Sequence, residues 1–520
     1  MKLGVNRLLL FISVTVITSA FSARILGVVP IPSYSHQVAF YPLWKELSLR
    51  GHQVTLITSH PIRDPSFKNL TEIDVSFMQK EWANLNPQES KKVKLSLFDM
   101  FDFLTELGYN LTNNELKDTE VQKLIKNENE HFDVALIETI FPGMALFAER
   151  FKCPLIQIFS LDGPTYSYYL FGNPVHPVLN PDFMLPFSGK LTFIERLFST
   201  AYFCFTLFYN KYRLRPSQQA AAEKHFGGNY PDIEEILQGS SLMFVNTDNV
   251  FHSMRPLLPN VIQIGGGTHL SASKPLPKDL KKILDEATNG AIYFSLGGNI
   301  KSKDLPENTR KIFLETFSEL PYTILWKFEQ DDLPGKPDNV FISKWFPQQD
   351  IFRHPNIKLF ISQGGLQSMD EATHNYIPIV GIPFFGDQEN NVKRIINKGI
   401  GLGLSFSTLD KSSLKEAILE VANNPKYRIR VKELADLSKD QPMTGLERAV
   451  WWTEYVIRHK GAKHLKSPAL DVPAYQYYLL DVIGFILAVI SVVGYVFIKL
   501  VKLVLRFIKY LLPKSKVKVQ

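Results

Sequence analysis

Cysteine is scarce in this sequence, which has only Cys153 and Cys204 among its 520 residues. Two thiols are too few for a scaffold held by several disulfides, and too few for a zinc site built from cysteine. Cys153 precedes an apolar run at 154–159, so we expect a buried free thiol there, and pairing of the two thiols stays open. Stability must then come from apolar cores, and this length is ample for two of them.

A strongly basic surface is also lacking from the body of the chain. The formal net charge is +7, but Lys2, Arg7 and seven Lys or Arg among the last 22 residues carry the excess. Removing these nine from the 58 Lys and Arg leaves 49, against 51 Asp and Glu. Because nucleic-acid binding needs a positively charged face, this distribution argues against a nucleic-acid partner.

The dinucleotide fingerprint G-x-G-x-x-G is absent from the first strand–helix–strand unit. A strand is predicted at 24–32, then a helix with apolar residues at i, i+3, i+4 and i+7, then a strand at 54–58. The same alternation continues along the chain and predicts parallel α/β structure in both halves. Further strands are predicted at 133–137, 155–159, 242–246, 261–264, 292–296, 323–328, 340–343 and 357–361.

Composition divides this α/β pattern into two domains, at 23–262 and 280–470. The segment 263–279 contains three consecutive glycines that are similar to a phosphate loop, but a Ser/Lys/Pro-rich stretch follows instead of a helix. We therefore interpret it as an interdomain linker. The aromatic-rich segment 161–215 interrupts the first domain. Three interpretations of it stay open: an apolar acceptor pocket, a contact with a bilayer surface, or core.

The amino-terminal residues 1–22 have the pattern of a secretory signal peptide. Two early bases precede an apolar core at 8–17, and small residues near 20–23 provide a cleavage site. The apolar core is too short to span a membrane. In a lumenal domain, the sequons at Asn69 and Asn110 would be candidate glycosylation sites.

The carboxyl-terminal residues predict a membrane anchor. Seventeen residues at 482–498 carry no charge, with tyrosines before them and Lys499 after them. This arrangement predicts a membrane-spanning helix at 479–500 with a lumenal amino end. A basic cytosolic tail follows at 501–520, and its last five residues, KVKVQ, resemble a dilysine retrieval signal of the endoplasmic reticulum.

The residues richest in chemistry lie at 345–398. One apolar run leads into Gln363-Gly364-Gly365 and a predicted helix, and a second one ends at Gly386-Asp387-Gln388. In an open α/β sheet, ligands bind beyond the carboxyl ends of strands. A helix that begins at two glycines directs unpaired N–H groups at a phosphate, while carboxylates accept hydrogen bonds from sugar hydroxyls. The stretch therefore predicts a nucleotide-sugar site.

This stretch resembles the signature of the UDP-glycosyltransferases, in their membrane-bound animal branch. The matching elements are WFPQQD, FISQGG, Glu371-Ala372, GIPFFGDQ and Asn391. The other features, from signal peptide to basic tail, follow in the family's order along nearly the whole chain. The resemblance implies a GT-B fold, in which two Rossmann-like α/β domains face each other, plus one carboxyl-terminal transmembrane helix. It also implies that 23–262 binds the acceptor and 280–470 the UDP-sugar.

The resemblance implies that His36 is the catalytic base, because the family has a Ser-His pair after its first strand. From spacing alone, a single histidine at a helix start is more often only polar surface. The family's orienting aspartate corresponds to Glu138, which can act in the same way with one more methylene. The alternative for Glu138 is a surface acid at a strand end.

Donor contacts are implied in the same manner. Trp345 matches a residue that stacks on uracil, with a core residue as the alternative. Gln363 replaces the commoner family histidine and keeps a donor amide without a charge. No D-x-D occurs, so a metal-dependent transferase would lack its ligands, and we expect neither metal nor cofactor beside the UDP-sugar co-substrate. The implied donor-binding residues are Gly297, Gly298, Trp345, Gln348, Gln363, Gly364, Gly365, Gln367, Ser368, Glu371, Asp387 and Gln388.

The expected function is inverting transfer of a hexose from a UDP-sugar to a hydroxyl of a small lipophilic acceptor, giving a β-glycoside and UDP. UDP-glucose is the preferred donor because SQGGLQS resembles the arthropod branch, and UDP-glucuronate is the alternative. A glycoside hydrolase would need two carboxylates around the bond, and a non-catalytic UDP-sugar-binding membrane protein could lose His36. The expected location is the endoplasmic reticulum membrane, single-pass with lumenal domains, and homo- or hetero-oligomers stay open.

Overall fold

The structure is a computed structural model that describes residues 22–85 and 97–512. The predicted signal peptide, apart from its last residue, and the dilysine-like end lie outside the described residues. The described residues form two compact units, which divide between Lys466 and Ser467.

The first half of the larger unit is built on a parallel sheet of seven strands. Their buried, β-branched sequences match the predicted runs to within a few residues, except for β3, whose polar sequence LTEID is half exposed. The order β3-β2-β1-β4-β5-β6-β7 places β4 beside β1, and β5 beside β4. The strands are β1 Arg24–Val29, β2 Gln53–Thr58, β3 Leu70–Asp74, β4 Val134–Glu138, β5 Leu155–Phe159, β6 Leu242–Val245 and β7 Val261–Gln263.

The second half is built on a parallel sheet of six strands. Only three residues of the apolar run at 378–385 form a strand, and the glycine-rich last strand was not predicted. The strand order is β10-β9-β8-β11-β12-β13. The strands are β8 Ala291–Ser295, β9 Thr323–Lys327, β10 Val340–Ser343, β11 Ile357–Ser362, β12 Ile379–Gly381 and β13 Gly401–Gly403.

Helices connect the strands, as parallel sheets require. In the first half they are Tyr34–Val38, Tyr41–Leu49, Met78–Leu85, Leu97–Leu116, Thr119–Lys126, Leu146–Phe151, Thr165–Leu170, Phe193–Tyr209, Arg215–Phe226 and Ile233–Gln238, with a 3₁₀ turn at Pro142–Ala145 and a π turn at Asn210–Leu214. After the first sheet they are Lys278–Glu286, Glu307–Ser318, Gln348–Phe352, Leu366–His374, Gln388–Lys398, Lys411–Asn423, Pro425–Lys439 and Gly445–His459, with 3₁₀ turns at Ser302–Asp304, Phe406–Thr408 and Lys463–Leu465.

The two sheets face each other across a cleft at their carboxyl edges. Ser33, after β1, donates a hydrogen bond to Asn299 Oδ1, after β8, at 3.0 Å. Gln367, after β11, donates to the carbonyl oxygen of Ser160, after β5, at 2.8 Å. The predicted pair of facing Rossmann-like domains is therefore confirmed.

The helix Gly445–His459 follows the second sheet in the chain but packs on the first one. Its residues Ala449, Val450 and Val456 are buried in the same core as β1, β4 and β6. Gly445 permits this return, because a Cβ there would lie 2.2 Å from the carbonyl oxygen of Ile264. The sequence did not predict the return, since the boundary at 470 assigns this helix to the second half.

The aromatic segment 161–215 divides into buried and exposed parts. Tyr168 and Phe171 belong to a core cluster, whereas several aromatic residues of Phe193–Tyr209 are exposed. Both cysteines are free, Cys153 half-buried and Cys204 exposed.

The smaller unit contains the helix Leu480–Leu511, with 3₁₀ and short helical turns at Pro468–Asp471 and Ala474–Tyr477 before it. The long helix has 32 residues, and its most apolar window is fully exposed. By length and composition it can cross a membrane. It begins where the sequence predicted a span and continues past residue 500 into the segment predicted as a tail.

Candidate active site

A histidine, a glutamate and a serine meet at the carboxyl edge of the first sheet. His36 lies on the short helix after β1, Glu138 is the last residue of β4, and Ser160 follows β5. His36 Nδ1 lies 2.8 Å from Glu138 Oε1 and 2.7 Å from Ser160 Oγ. The N–H of Ser160 also donates to Glu138 Oε1, at 3.2 Å. These strands are neighbours in the sheet, so side chains far apart in sequence meet at one point.

Burial decides between the alternatives for this pair. The Glu138 side chain is fully buried, which contradicts a surface acid at a strand end. The His36 side chain is 15% exposed and engages Nδ1 with its neighbours, so it is more than polar surface. Nε2 is the ring nitrogen left to accept a proton from a bound hydroxyl.

Gln37 holds the helix that carries His36, and sequence reasoning missed it. Its amide donates to the carbonyl oxygens of Val29 and Ile31, both at 2.8 Å. Its oxygen accepts from the Thr58 hydroxyl at 2.7 Å. A buried amide satisfied in this way locks the turn between β1 and the helix.

Two glycine turns meet around Gln363 at the edge of the second sheet. Gly297, after β8, has φ +75°, and a Cβ there would lie 2.4 Å from Gln363 Nε2. A Cβ on Gly365 would lie 3.0 Å from the same nitrogen. Gly364 has φ +86° and would contact Val392 if it carried a side chain. The positive φ at Gly297 and Gly364 favours glycine at both positions, and the Gln363 amide lies against Gly297 and Gly365.

The helix Leu366–His374 begins directly after these turns. Its N-cap residue is Gly365, which has no side chain to accept from the first N–H groups, so these groups have no side-chain cap. This arrangement suits an anion.

Trp345 stands at the mouth of the cleft. It is 57% exposed, which contradicts the alternative of a core residue. Its ring meets Tyr34 of the first half edge to face, with ring centroids 5.4 Å apart. Lys327 Nζ lies 5.6 Å from the centre of the same ring.

Three predicted donor ligands form one cluster beneath Trp345. Gln348 donates to Ser368 Oγ at 3.0 Å and also to Glu371. Gln349 donates to the other oxygen of Glu371 at 2.9 Å. The resemblance implies that Glu371 is the ribose ligand, and its carboxylate already accepts from two amides, which a ribose diol would have to replace.

Asp387 and Gln388 lie at the opposite side of this edge. Asn391 donates to Asp387 Oδ2 at 2.7 Å and to the Gly364 carbonyl oxygen at 2.9 Å. Burial raises the pKa of Asp387, opposed by the Asn391 hydrogen bond and by the charges of Arg394 and His36. Because the charge of His36 affects this pKa, Asp387 lies near the His36–Glu138 pair on the opposite side of the cleft.

Two predicted donor ligands have their polar atoms engaged elsewhere. Gln388 Oε1 accepts from the N–H groups of Phe384 and Phe385, at 2.9 and 3.2 Å. Gln367 reaches across the cleft to the carbonyl oxygen of Ser160. Gln367 thereby joins the donor half to the serine that contacts His36. Gly298 lies opposite Tyr34, whose Cβ would be 4.0 Å from a Cβ at that glycine.

Sequence reasoning missed two further polar residues of the donor half. Lys327 ends β9 and donates to the Gly297 carbonyl oxygen at 2.9 Å and to Glu329 at 2.8 Å. His269, in the predicted linker, lies 3.2 Å from the Gln367 carbonyl oxygen and 3.5 Å from Glu371. Burial lowers the pKa of His269, but Glu371 and Asp370 outweigh it and raise the pKa overall. A basic strand end could have indicated Lys327, whereas no local pattern indicates His269.

A cavity of about 380 Å³ opens in the first half beside Tyr34. Its aromatic wall consists of Tyr34, Tyr41 and His60, and Lys45, Arg63 and Gln79 add polar groups. A volume of this size accommodates a small organic molecule. Over the ranges 22–85 and 97–512, no three His, Cys, Asp or Glu side chains lie together as metal ligands would, and metal independence stays a prediction.

A family profile matches residues 24–516 of this chain, and its description is "UDP-glucoronosyl and UDP-glucosyl transferase". The chain belongs to this family of UDP-glycosyltransferases. It is therefore an enzyme that takes its sugar from a UDP-sugar of the glucosyl or glucuronosyl type. The resemblance inferred from the signature at 345–398 is confirmed.

This UDP-glycosyltransferase is similar in sequence to two named relatives and in fold to one solved structure. It is 37% identical to UDP-glucosyltransferase 2 of Dactylopius coccus, over 92% of this chain and 93% of the relative. It is 32% identical to UDP-glucuronosyltransferase 2B9 of Macaca fascicularis, over 90% of each. The crystal structure of the glycotransferase of kitacinnamycin superimposes with a TM-score of 0.55 at 16% identity, covering 85% of this chain and 99% of that one. At that identity the likeness concerns the fold.

Proposed function

We propose that this UDP-glycosyltransferase moves glucose from UDP-glucose to a hydroxyl group of a small lipophilic acceptor, with inversion at the anomeric carbon. The observation that carries the proposal is the His36–Glu138–Ser160 arrangement. It leaves His36 Nε2 available at the cleft, opposite the edge that carries the glycine turns.

His36 acts as the base in this proposal. As the acceptor oxygen attacks the anomeric carbon, its proton passes to Nε2 of His36. Glu138 accepts the hydrogen bond from Nδ1–H, which fixes the tautomer and stabilises the imidazolium that forms. The new carbon–oxygen bond forms on the face opposite the departing phosphate oxygen, so the product is a β-glycoside.

The second half stabilises the departing UDP. Negative charge grows on the diphosphate as the bond breaks, and donors aimed at that charge lower the barrier. The Gln363 amide, the glycine turns and the first turn of Leu366–His374 supply such donors without a metal or a further cofactor. Lys327 donates to the carbonyl oxygen of Gly297 and so supports this turn, while Glu329 balances its charge.

Glucose is the proposed sugar and UDP-glucuronate the alternative. Support for glucose comes from the relative of higher identity, which is named a UDP-glucosyltransferase, while the relative of lower identity is named a UDP-glucuronosyltransferase. Asp387 and Gln388 are the proposed ligands of the sugar hydroxyls. For Gln388, the amide nitrogen is the group that would donate, because its oxygen is engaged with the backbone.

A lipophilic acceptor is supported by the aromatic wall of the cavity beside Tyr34. We place the enzyme in the endoplasmic reticulum membrane, single-pass, with lumenal catalytic halves. The apolar helix Leu480–Leu511 supports the membrane attachment.

The test is a donor panel. Full-length enzyme in detergent is incubated with UDP-glucose, UDP-glucuronate, UDP-galactose or UDP-N-acetylglucosamine and a simple phenol, and the product mass and anomeric configuration are measured. We expect a β-glucoside from UDP-glucose in clear preference to the others. A glucuronide as the main product would overturn the donor assignment, and an α-linked product would overturn inversion.

A further inference from the structure

The segment 263–279, expected to be an interdomain linker, is not exposed along its whole length. Thr268 and His269 are buried, with 5% and 3% exposure, whereas the chain at 271–275 is exposed. Burial of an imidazole costs free energy unless hydrogen bonds compensate for the lost water. The partners of His269 therefore indicate why a histidine is enclosed at this point of the linker.

His269 faces the start of the helix Leu366–His374. Its Nε2 lies 3.2 Å from the carbonyl oxygen of Gln367 and 3.5 Å from Glu371 Oε1. A carbonyl oxygen can only accept, so Nε2 carries the hydrogen and donates it. Although burial lowers the pKa of His269, the hydrogen bond and charge of Glu371 and the charge of Asp370 raise it overall. The imidazole and the Glu371 carboxylate therefore attract each other directly.

A second set of contacts leads from the same segment to the same carboxylate. The N–H and the hydroxyl of Ser271 both donate to Gln349 Oε1, each at 2.9 Å. The amide of Gln349 donates in turn to Glu371 Oε1 at 2.9 Å. The N–H of Lys274 also donates to Asp350 Oδ1 at 2.9 Å. The linker is thus fixed to the second half at three positions, and two of these lead to Glu371.

These contacts restrict the orientation of the Glu371 carboxylate. Oε1 interacts with His269 and Gln349, and the other oxygen accepts from Gln348. A carboxylate held in this way has lost much of its rotational freedom before a ligand arrives. The entropy cost of ordering it is then not charged against the affinity for the ligand.

We propose that His269 is a positioning residue for the nucleotide of the donor. It holds the Glu371 carboxylate and the first turn of Leu366–His374 in the orientation that the ribose diol binds. This inference rests on the proposed role of Glu371 as the ribose ligand. The linker then supports the donor site, in addition to joining the two halves.

The test compares UDP with 2′,3′-dideoxy-UDP, which lacks the diol. Their affinities for full-length enzyme in detergent are measured by calorimetry. We expect His269→Ala to weaken UDP binding on the order of tenfold and to leave 2′,3′-dideoxy-UDP within about twofold of wild type. Retained binding of the dideoxy nucleotide also establishes that the variant folds. Equal weakening of both nucleotides would overturn the proposal and leave His269 with a packing role.

A conservative variant and a matched control sharpen the comparison. His269→Gln places an amide N–H near the position of Nε2 and should keep UDP affinity within about threefold of wild type. His354 is a histidine of the same half whose side chain is 9% exposed and whose Nε2 lies 3.1 Å from Asp285 Oδ1. His354→Ala should leave the ratio of the two affinities unchanged. A glutamine variant as weak as the alanine variant would overturn the proposal.

Kinetics add a second measurement. With the donor that the panel identifies, His269→Ala should raise KM and leave kcat within a few-fold of wild type, because it removes binding that precedes the reaction. A fall in kcat without a rise in KM would overturn the proposal.

Glu371→Ala separates this inference from the assignment on which it rests. If Glu371→Ala abolishes the discrimination between the two nucleotides but His269→Ala retains it, only the positioning role is wrong. If both variants retain the discrimination, Glu371 is not the ribose ligand, and the inference falls with that assignment.

Discussion

The two edges of the cleft differ in how their polar groups are satisfied. On the first sheet, His36 is held by Glu138 and Ser160, and its second ring nitrogen is left for a ligand. On the second sheet, the polar groups bond to one another: Gln348 and Gln349 to Glu371, and Asn391 to Asp387.

In the proposed reaction, one edge is therefore preorganised, whereas the other exchanges hydrogen bonds when the donor binds. The edge that carries His36, here called the base edge, needs no rearrangement for the proposed proton transfer, because its hydrogen bonds hold Nδ1 and leave Nε2 without a partner in the described structure. The facing edge of the second sheet, here called the donor edge, would have to exchange internal hydrogen bonds for those of the proposed nucleotide and sugar. Each contact with the ligand then contributes only the difference between the two hydrogen bonds. Substitutions at the base edge should therefore act mainly on turnover, and those at the donor edge on turnover and affinity in proportions that depend on position.

The largest effect is expected from His36→Ala. Loss of a general base costs on the order of 10² to 10⁴ in rate. UDP affinity should stay nearly unchanged, because the proposed nucleotide site lies on the other sheet. Turnover and calorimetric UDP binding test this, with the exposed His131→Ala as control. An equal loss of UDP affinity would show that the two edges are not separate in function.

Gln363→Ala should follow. Removing a single donor aimed at growing negative charge costs on the order of 10² to 10³ in rate. The loss should fall on turnover more than on donor affinity, because the contact strengthens as the bond breaks. Gln363→His restores a donor and should stay within about tenfold of wild type, roughly 1.4 kcal/mol. An alanine variant as fast as the wild type would mean that Gln363 only fills the space between the glycine turns.

Glu138→Gln should have a smaller effect. The amide keeps the shape and one acceptor but loses the charge that stabilises the imidazolium, so turnover should fall roughly 10- to 100-fold, part of what a general base contributes. The exposed Glu128→Gln serves as control. If Glu138→Gln has the wild-type rate, the buried carboxylate is structural and His36 works alone.

The variant Asp370→Asn tests, through thermal stability, whether the carboxyl group buried at the donor edge is neutral. Burial raises the pKa of Asp370 to about 7, with Asp248 and Glu371 adding to the effect and His269 opposing it. The unfolded carboxyl titrates near about 3.9, so between the two values the folded state alone holds the proton, and stability falls as pH rises. Asparagine does not titrate, so the variant does not lose this stability as the pH rises. Its melting temperature relative to wild type should therefore increase by a few degrees from about pH 5 to about pH 8. A difference independent of pH would contradict the burial of a neutral Asp370.

The smallest effect on catalysis is expected from deleting residues 482–520. That segment carries no residue of either edge, so turnover with a water-soluble phenol should match the full chain. A folded but inactive truncation would assign the segment a role in the reaction.

The strands were predictable because a strand buried on both faces leaves a continuous apolar run, as in β5 and β11. β3 was not, because an edge strand that is half exposed has no such run. The donor signature was recognisable because its residues are nearly contiguous. Gln37, Lys327 and His269 were not found, since their roles depend on partners from other segments.

The sequence by itself determined the alternation of strands and helices, the donor signature and the apolar carboxyl-terminal helix, because each is a pattern between near neighbours. Only the tertiary structure decided the rest. His36 meets Glu138 and Ser160 across 102 and 124 residues, because parallel crossovers bring β1, β4 and β5 side by side. The same holds for the helix Phe193–Tyr209, because periodicity distinguishes its two faces but only packing decides which one the protein leaves uncovered.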